Sequence, residues 1–363
     1  MLLIRAPLRV SFGGGGTDLP AYYERHGGLV ISAAISRYCY ALVEETPDGA
    51  GSVVSADYAT QFRWSPARLP TMQPPLALAK AALRECAERA RLERGVTLAL
   101  AADAPPGSGL GSSSAMTVAL MQALATRYDH PLSKPEIADR ACALEIERLG
   151  MPIGKQDQYA SAYGGVNMIE FARDGVRVSP VRLSEATRAA FRARLLLFWT
   201  GRTRDSASIL RDQRQATNAE QPEVVARLSR LKAFAGEMRD ALEAGDLDAF
   251  GELLDAAWQT KRRLSSAVSS AAIDEWYEAA KWAGARGGKI TGAGGGGFLL
   301  VFAPPQRQDA VRDALAQRGL TEAPFAGFDN AGIARVGRLP RDWRLRFVSK
   351  SMDRRGLRAA GSA

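Results

Sequence analysis

Ten residues constrain this chain more than any others: Pro105-Pro-Gly-Ser-Gly-Leu-Gly-Ser-Ser-Ser114. They lie between Val96 to Leu100, which reads as a strand, and Met116 to Tyr128, whose spacing predicts a helix from Ser112. A glycine-rich turn feeding a helix N-terminus makes an anion hole. The free N–H groups of the first helical turn, its positive dipole end and three hydroxyls converge where phosphate oxygens would sit. A serine-rich N-cap on an ordinary helix is the blander reading. A Walker A loop is excluded, because no Lys follows the last glycine.

Two further glycine clusters, Gly13-Gly-Gly-Gly16 and the stretch from Gly287 to Gly297, hold much of the excess among the 35 glycines. Glycine lets backbone approach a ligand closely, so three clusters point to three backbone surfaces folded around something compact and anionic. The third contains a formal GxGxxG, Gly292 to Gly297. A dinucleotide fingerprint must follow a strand and open a helix, whereas here a helix is expected before it and the strand Phe298 to Phe302 after it. The expectation is a loop that packs against another loop or the substrate.

Two carboxylates near the middle cluster complete a candidate site. Magnesium needs hard oxygen ligands and keeps several waters, so one carboxylate and one hydroxyl beside a nucleotide's phosphates suffice. Glu147 and Ser113 fit those roles. Asp157, inside Gly154-Lys-Gln-Asp-Gln-Tyr159, could orient an attacking hydroxyl and accept its proton. Glutamates at such positions are more often solvated helix residues and such aspartates more often helix N-caps, and spacing alone does not overturn that for Glu147 or Asp157.

The rest of the chain bounds these possibilities. Its 363 residues suit about two domains with a core that needs no staples. Arg5 and Arg9 interrupt the first apolar stretch, which argues against a secretory signal and for a cytoplasmic location. Cys39, Cys86 and Cys142 lack CxxC spacing, and with only His26 and His130 available neither disulfides nor zinc are expected. Nine of the basic residues lie between Arg335 and the end, against Asp342 and Asp353. The tail thus carries +7 of the net +9 and the body only +2, so neither nucleic acid nor membrane is expected as a partner.

Pattern reading gives strands at Leu2 to Phe12, Leu29 to Glu45 and Val96 to Leu100, then a helix between Pro75 and Arg94. A capping box, Ser133-Lys-Pro-Glu136, opens a helix to about Leu149. After strands near Val176 to Leu183 and Arg194 to Thr200 come helices over Val225 to Leu242, Phe250 to Trp258 and Ile273 to Ala285. The strand Phe298 to Phe302, a helix after Pro305 and a last strand near Gly332 to Val336 follow. The simplest account is α+β throughout: residues 1–185, residues 186–340 and a basic tail, 341–363.

Three motifs, in order, resemble those of the GHMP small-molecule kinases, the family of galactokinase, homoserine kinase, mevalonate kinase and phosphomevalonate kinase. They are Ala6-Pro-Leu-Arg-Val10 through Thr17-Asp18, Pro105 to Ala115, and Lys289-Ile-Thr-Gly-Ala-Gly-Gly-Gly-Gly-Phe298; the resemblance spans about residues 2 to 336. It implies a ribosomal protein S5 domain 2-like N-terminal domain and a ferredoxin-like C-terminal domain. It also implies ATP on Pro106, Gly107, Ser108, Gly109, Leu110, Gly111, Ser112, Ser113 and Ser114, and Mg²⁺ on Ser113 and Glu147. Asp157 would face the acceptor hydroxyl with Arg9 paired to it, and a cation beside a carboxylate favours the ionised form.

Within the family, Gly15-Gly16 stands where galactokinase has Glu-His. Phe12 to Asp18, Gly154 to Ala160 with Tyr163-Gly-Gly165, and Trp199-Thr-Gly-Arg-Thr-Arg204 resemble instead the D-glycero-D-manno-heptose 7-phosphate kinase group and the kinase part of fucokinases. The implied reaction is phosphorylation of an anomeric C1 hydroxyl, on a sugar phosphate or, alternatively, an unphosphorylated sugar, by a monomer or homodimer. Thr17 and Asp18 would bind sugar hydroxyls, with Gly294 and Gly295 also beside the substrate. If the acceptor carries a phosphate, cations must meet it. Lys155, Arg202, Arg204 and Lys261-Arg-Arg263 are the candidates.

Overall fold

The computed structural model describes residues 1–46, 49–203, 206–325 and 327–336. Its spine is the 18-residue strand Gly28–Glu45. The strand is long because it serves two partners on one edge: its second half pairs with Val96–Ala102 and its first half with Val166–Ala172. Its other edge pairs antiparallel with Leu2–Gly13, with a register shift between Pro7 and Leu8, where proline contributes no N–H to the ladder. Gly51–Ser55, Thr60–Trp64 and Gly175–Pro180 extend the sheet.

The helix Ser112–Tyr128 lies over this sheet. Ala115, Val118, Ala119, Leu120, Ala123 and Leu124 are all buried, the pattern of a core helix rather than a surface one. The expected capping box is formed, with Ser133 N donating to Glu136 Oε2 at 2.9 Å. That helix, Lys134–Cys142, continues as a π-helical turn, Ala143–Arg148.

The second half is built on a four-stranded antiparallel sheet in the order Thr321–Glu322, Leu195–Trp199, Phe298–Phe302, Gly287–Ile290. Gly287–Ile290 corrects one expectation: the third glycine cluster joins two antiparallel strands of a hairpin, not a helix to a strand. The helices Pro222–Ala244 and Leu247–Lys261 turn about Gly245, whose φ of 76° suits a residue without Cβ.

The two halves share one core. Phe12 packs on Phe191 and Phe250 with ring centroids 5.3 and 5.6 Å away, and Phe250 on Phe302 at 5.2 Å. The chain then returns, and Ala334–Arg335 pairs with Ile4 and Arg5 at the edge of the first sheet. The stretch expected to close the second domain therefore completes the first. Residues 341–363 lie outside the described residues. Among those described, no helix is long and apolar enough to cross a membrane.

Candidate active site

All three glycine clusters meet in one cleft between the halves. Gly107, Gly109 and Gly111 have φ of 74°, 79° and 75°, a left-handed run that turns the chain into the helix Ser112–Tyr128. Gly111 is the N-cap and no side chain caps the helix, so the first-turn N–H groups are left to the cleft. A Cβ on Gly109 would stand 2.6 Å from Thr291 O, and one on Gly297 2.3 Å from Ser108 O. The middle and third glycine clusters thus pack backbone on backbone, as the sequence led us to expect of the third. Gly107, Gly109, Gly111, Ser112, Ser113 and Ser114 line the cleft. Leu110 is in the core and Ser108 behind the loop, while Pro106 lies off the lining.

Arg9 enters from the strand Leu2–Gly13 and fixes Asp157 with two parallel bonds, Nε to Oδ1 and Nη2 to Oδ2, each 2.7 Å. Its third nitrogen, Nη1, donates to Gly109 O at 2.6 Å, which ties the ion pair to the glycine turn. Asp157 sits in the first turn of the helix Gln156–Tyr163. A Cβ on Gly111 would come within 3.1 Å of Asp157 Oδ2. Glycine there lets the carboxylate stand directly beside the mouth of the anion hole.

Asp18 also lines the cleft, accepting from Gly16 N at 2.9 Å and Gln156 Nε2 at 3.0 Å. Burial, the dominant influence, pushes its carboxyl above the usual range. Thr17 departs from expectation. Its hydroxyl donates to Gly14 O at 2.8 Å and accepts from Leu29 N at 3.0 Å, so it fastens the glycine loop to the sheet and leaves no group for a sugar.

Glu147 is corrected too. It is exposed on the outer side of the π-helical turn, whereas Glu145 is fully buried behind Ser113. Glu145 accepts from Gln158 Nε2 at 2.5 Å and Ser113 Oγ at 3.3 Å, and no cation among the described residues pairs with it. Burial lifts it to about 7, opposed by bonds from Gln158 and Ser114. Sequence periodicity held the signal: Ile137, Ala138, Ala141 and Cys142 mark a buried stripe on which Glu145 falls and Glu147 does not.

The cations sort clearly. Lys155 turns its ammonium to the face of Tyr23, 5.4 Å from the ring centre, and Arg202 lies over Trp276; neither lines the cleft. Arg204 falls outside the described residues. Arg262 pairs with Asp274, and Arg263 is exposed. Lys261 does reach the cleft from the end of its helix, donating to Gly292 O at 2.5 Å. Burial, with Arg9 adding to it, pulls its pKa down to about 8 against the opposing pull of Asp18 and Asp157. Gly294 lines the cleft, whereas Gly295 is turned to Val268 O.

Ser11, Gln156, Leu210 and Gln213 complete the wall and were missed. The helix Ser206–Asn218, which supplies the last two, carries only Ile209 and Leu210 as large apolar residues, too few to repeat along the helix and announce it.

Comparison with known proteins places this cleft. Residues 77–165 match the GHMP kinases N terminal domain and residues 238–320 the GHMP kinases C terminal domain. The chain is 31% identical to a D-glycero-alpha-D-manno-heptose 7-phosphate kinase of Campylobacter jejuni, over 86% of this chain and 92% of that one. It is 29% identical to an L-fucokinase/L-fucose-1-P guanylyltransferase of Bacteroides fragilis, over 86% of this chain and 36% of the relative. A crystal structure of a D-glycero-D-manno-heptose 1-phosphate kinase from Bacteroides thetaiotaomicron superposes with a TM-score of 0.75 at 27% identity, covering 94% of this chain and all of that one. With both domains in order, and a relative alike over nearly its whole length, the chain belongs to the GHMP kinase family and is a phosphotransferase with an alcohol group as acceptor.

Proposed function

We propose that this protein is an ATP-dependent sugar kinase that phosphorylates the anomeric C1 hydroxyl of a sugar phosphate, converting D-glycero-D-manno-heptose 7-phosphate to the 1,7-bisphosphate. The observation that carries this is the approach of Asp157 to Gly111, which puts a proton acceptor beside a phosphate cradle in one cleft. The heptose 7-phosphate kinase relative supports the choice of acceptor.

In this mechanism the ATP phosphates lie on Gly107 to Ser114. Each oxygen of Asp157 already takes one bond from Arg9 and keeps a lone pair for the acceptor hydroxyl. Asp157 takes the hydroxyl proton as the oxygen attacks the terminal phosphorus, and ADP leaves. Asp18 and its amide partners bind sugar hydroxyls.

The donor set fits magnesium. Glu145 is a buried carboxylate facing a serine hydroxyl, with no cation among the described residues to balance it, and magnesium otherwise takes its ligands from water and the nucleotide. Among the described residues no group of three or more carboxylates, cysteines or histidines could hold a metal alone, which agrees with a site that the nucleotide completes. Glu145 and Ser113 would hold a magnesium ion, which would supply neutralising charge for the phosphates.

A coupled ADP-release screen over heptose 7-phosphate, fucose, galactose and mannose tests the reading. Turnover highest on the heptose phosphate is expected. Preference for fucose or galactose would move the protein to the sugar 1-kinases acting on free sugars, and no release with any sugar would end the proposal.

A further inference from the structure

Gly15 lies at the Asp18 end of the cleft in a backbone conformation any L-residue can adopt. What is special there is the space. A Cβ built on Gly15 would meet no backbone. Its nearest neighbours are three polar side-chain atoms, Ser11 Oγ at 3.7 Å, Gln156 Nε2 at 3.8 Å and Lys261 Nζ at 3.8 Å. Three hydrogen-bond donors therefore converge on one point that a missing side chain leaves open.

Each has a donor hydrogen to spare. Ser11 is buried at 4% exposure and its hydroxyl has no partner among the described residues. Gln156 Nε2 gives one hydrogen to Asp18 and keeps one. Lys261, 7% exposed, gives one of three to Gly292 O. A buried hydroxyl without a partner is costly, and of the three Ser11 alone bears that cost in full, the other two each keeping an acceptor and a hydrogen to spare.

Charge narrows the ligand. Lys261 lies among Arg9, Asp18 and Asp157 at this end of the cleft. Arg9 and Asp157 neutralise each other, which leaves the Lys261 ammonium facing Asp18, whose own carboxyl burial pushes toward the neutral form. Lys289 is turned away, donating to Ser11 O at 2.8 Å and Phe12 O at 3.4 Å; burial pulls its pKa well down, so it braces Ser11 and adds no charge to the balance. Three donors, one of them a cation, converging on one point suit the several bare oxygens of a phosphate better than a single hydroxyl oxygen.

We propose that Ser11, Gln156 and Lys261 form a phosphate subsite over Gly15 that binds the phosphate already carried by the acceptor sugar. This deepens the kinase reading above and rests on it. The terminal phosphate of ATP has the same chemistry. We favour the acceptor because Gln156 and the loop of Gly15 are bonded to Asp18, at the sugar end of the cleft.

The test is calorimetry on the full chain without nucleotide, comparing heptose 7-phosphate with the same heptose lacking phosphate. Wild type should bind the phosphorylated sugar at least about tenfold tighter, the worth of one good charge-assisted bond. In Lys261→Met that ratio should fall to near one. In Gly15→Val, which fills the space without changing charge, it should fall likewise, so the proposal survives a failure of either variant to fold. A wild-type ratio near one, or a ratio kept in both variants, would overturn the subsite. So would a Lys261→Met enzyme whose KM rises for ATP alone, which would hand the lysine to the donor phosphate. Should wild type release no ADP with any sugar, the kinase reading itself fails, a result distinct from all of these.

Discussion

The cleft holds two carboxylates in opposite circumstances. Asp157 comes with its own cation, held by two bonds from Arg9 and partly open to the cleft; Glu145 is sealed behind Ser113 and, among the described residues, has neutral partners only. The paired carboxylate is poised to meet a neutral ligand, an alcohol whose proton it can take. The unpaired one is incomplete until a cation arrives, and burial lifts it to about 7 for want of one. One region is preorganised by the protein, the other by what binds.

The comparison breaks most sharply at Asp157. Asp157→Asn keeps shape and the Arg9 contact to the remaining oxygen but cannot accept a proton. Its kcat should fall by roughly 10² to 10⁴ while KM for ATP moves little. Near-normal turnover in steady-state assays would mean that positioning and charge do the work and that the paired carboxylate is not a base.

At Glu145 the expected effect is smaller and falls on the metal. Glu145→Gln should raise the Mg²⁺ concentration for half-maximal activity by about 10- to 100-fold, the usual cost of disturbing a metal's ligands or their supports. Glu147→Gln, two residues on and exposed, should titrate with Mg²⁺ within about twofold of wild type. If the two variants changed places, the buried carboxylate would be a packing element.

The contrast between these two glutamates also shows how the chain could be read. The helix Ser112–Tyr128 and the strand Phe298–Phe302 were legible to the residue, because glycine and serine punctuate sharply where apolar periodicity begins and ends. The glycine turn at the helix N-terminus was read from the residues themselves, and the Arg9 and Asp157 pair came with the resemblance to the GHMP kinases. What escaped was set by tertiary contact. Gly287–Ile290 has no strand character of its own and becomes a strand by pairing with Leu299 to Phe302. Ala334–Arg335 was assigned to the second half and closes the first sheet. Thr17 carries a hydroxyl suited to a sugar, and only the fold shows that Gly14 and Leu29 have claimed it. Direction decides among cations: Lys155, Arg202 and Lys261 look equivalent in sequence, and the end of the helix Leu247–Lys261 sends one of them into the cleft.

Lys261 extends the same comparison to a third buried charge, with the sign reversed. Its pKa is about 8 in the folded chain and ordinary, near 10.5, in the unfolded one. Below pH 8 both states are protonated and the fold bears the full cost of a desolvated ammonium, on the order of 3 kcal/mol. Between 8 and 10.5 the unfolded chain binds more protons, so stability rises with pH and the cost fades. Lys261→Met should therefore be more stable than wild type at pH 7 by roughly 1–3 kcal/mol in denaturant unfolding, allowing for the lost bond to Gly292. That advantage should shrink as pH climbs from 8 toward 10.5. A variant less stable than wild type at pH 7, with a gap that pH does not change, would show that the ammonium is already satisfied inside the protein and is not held ready for an anion.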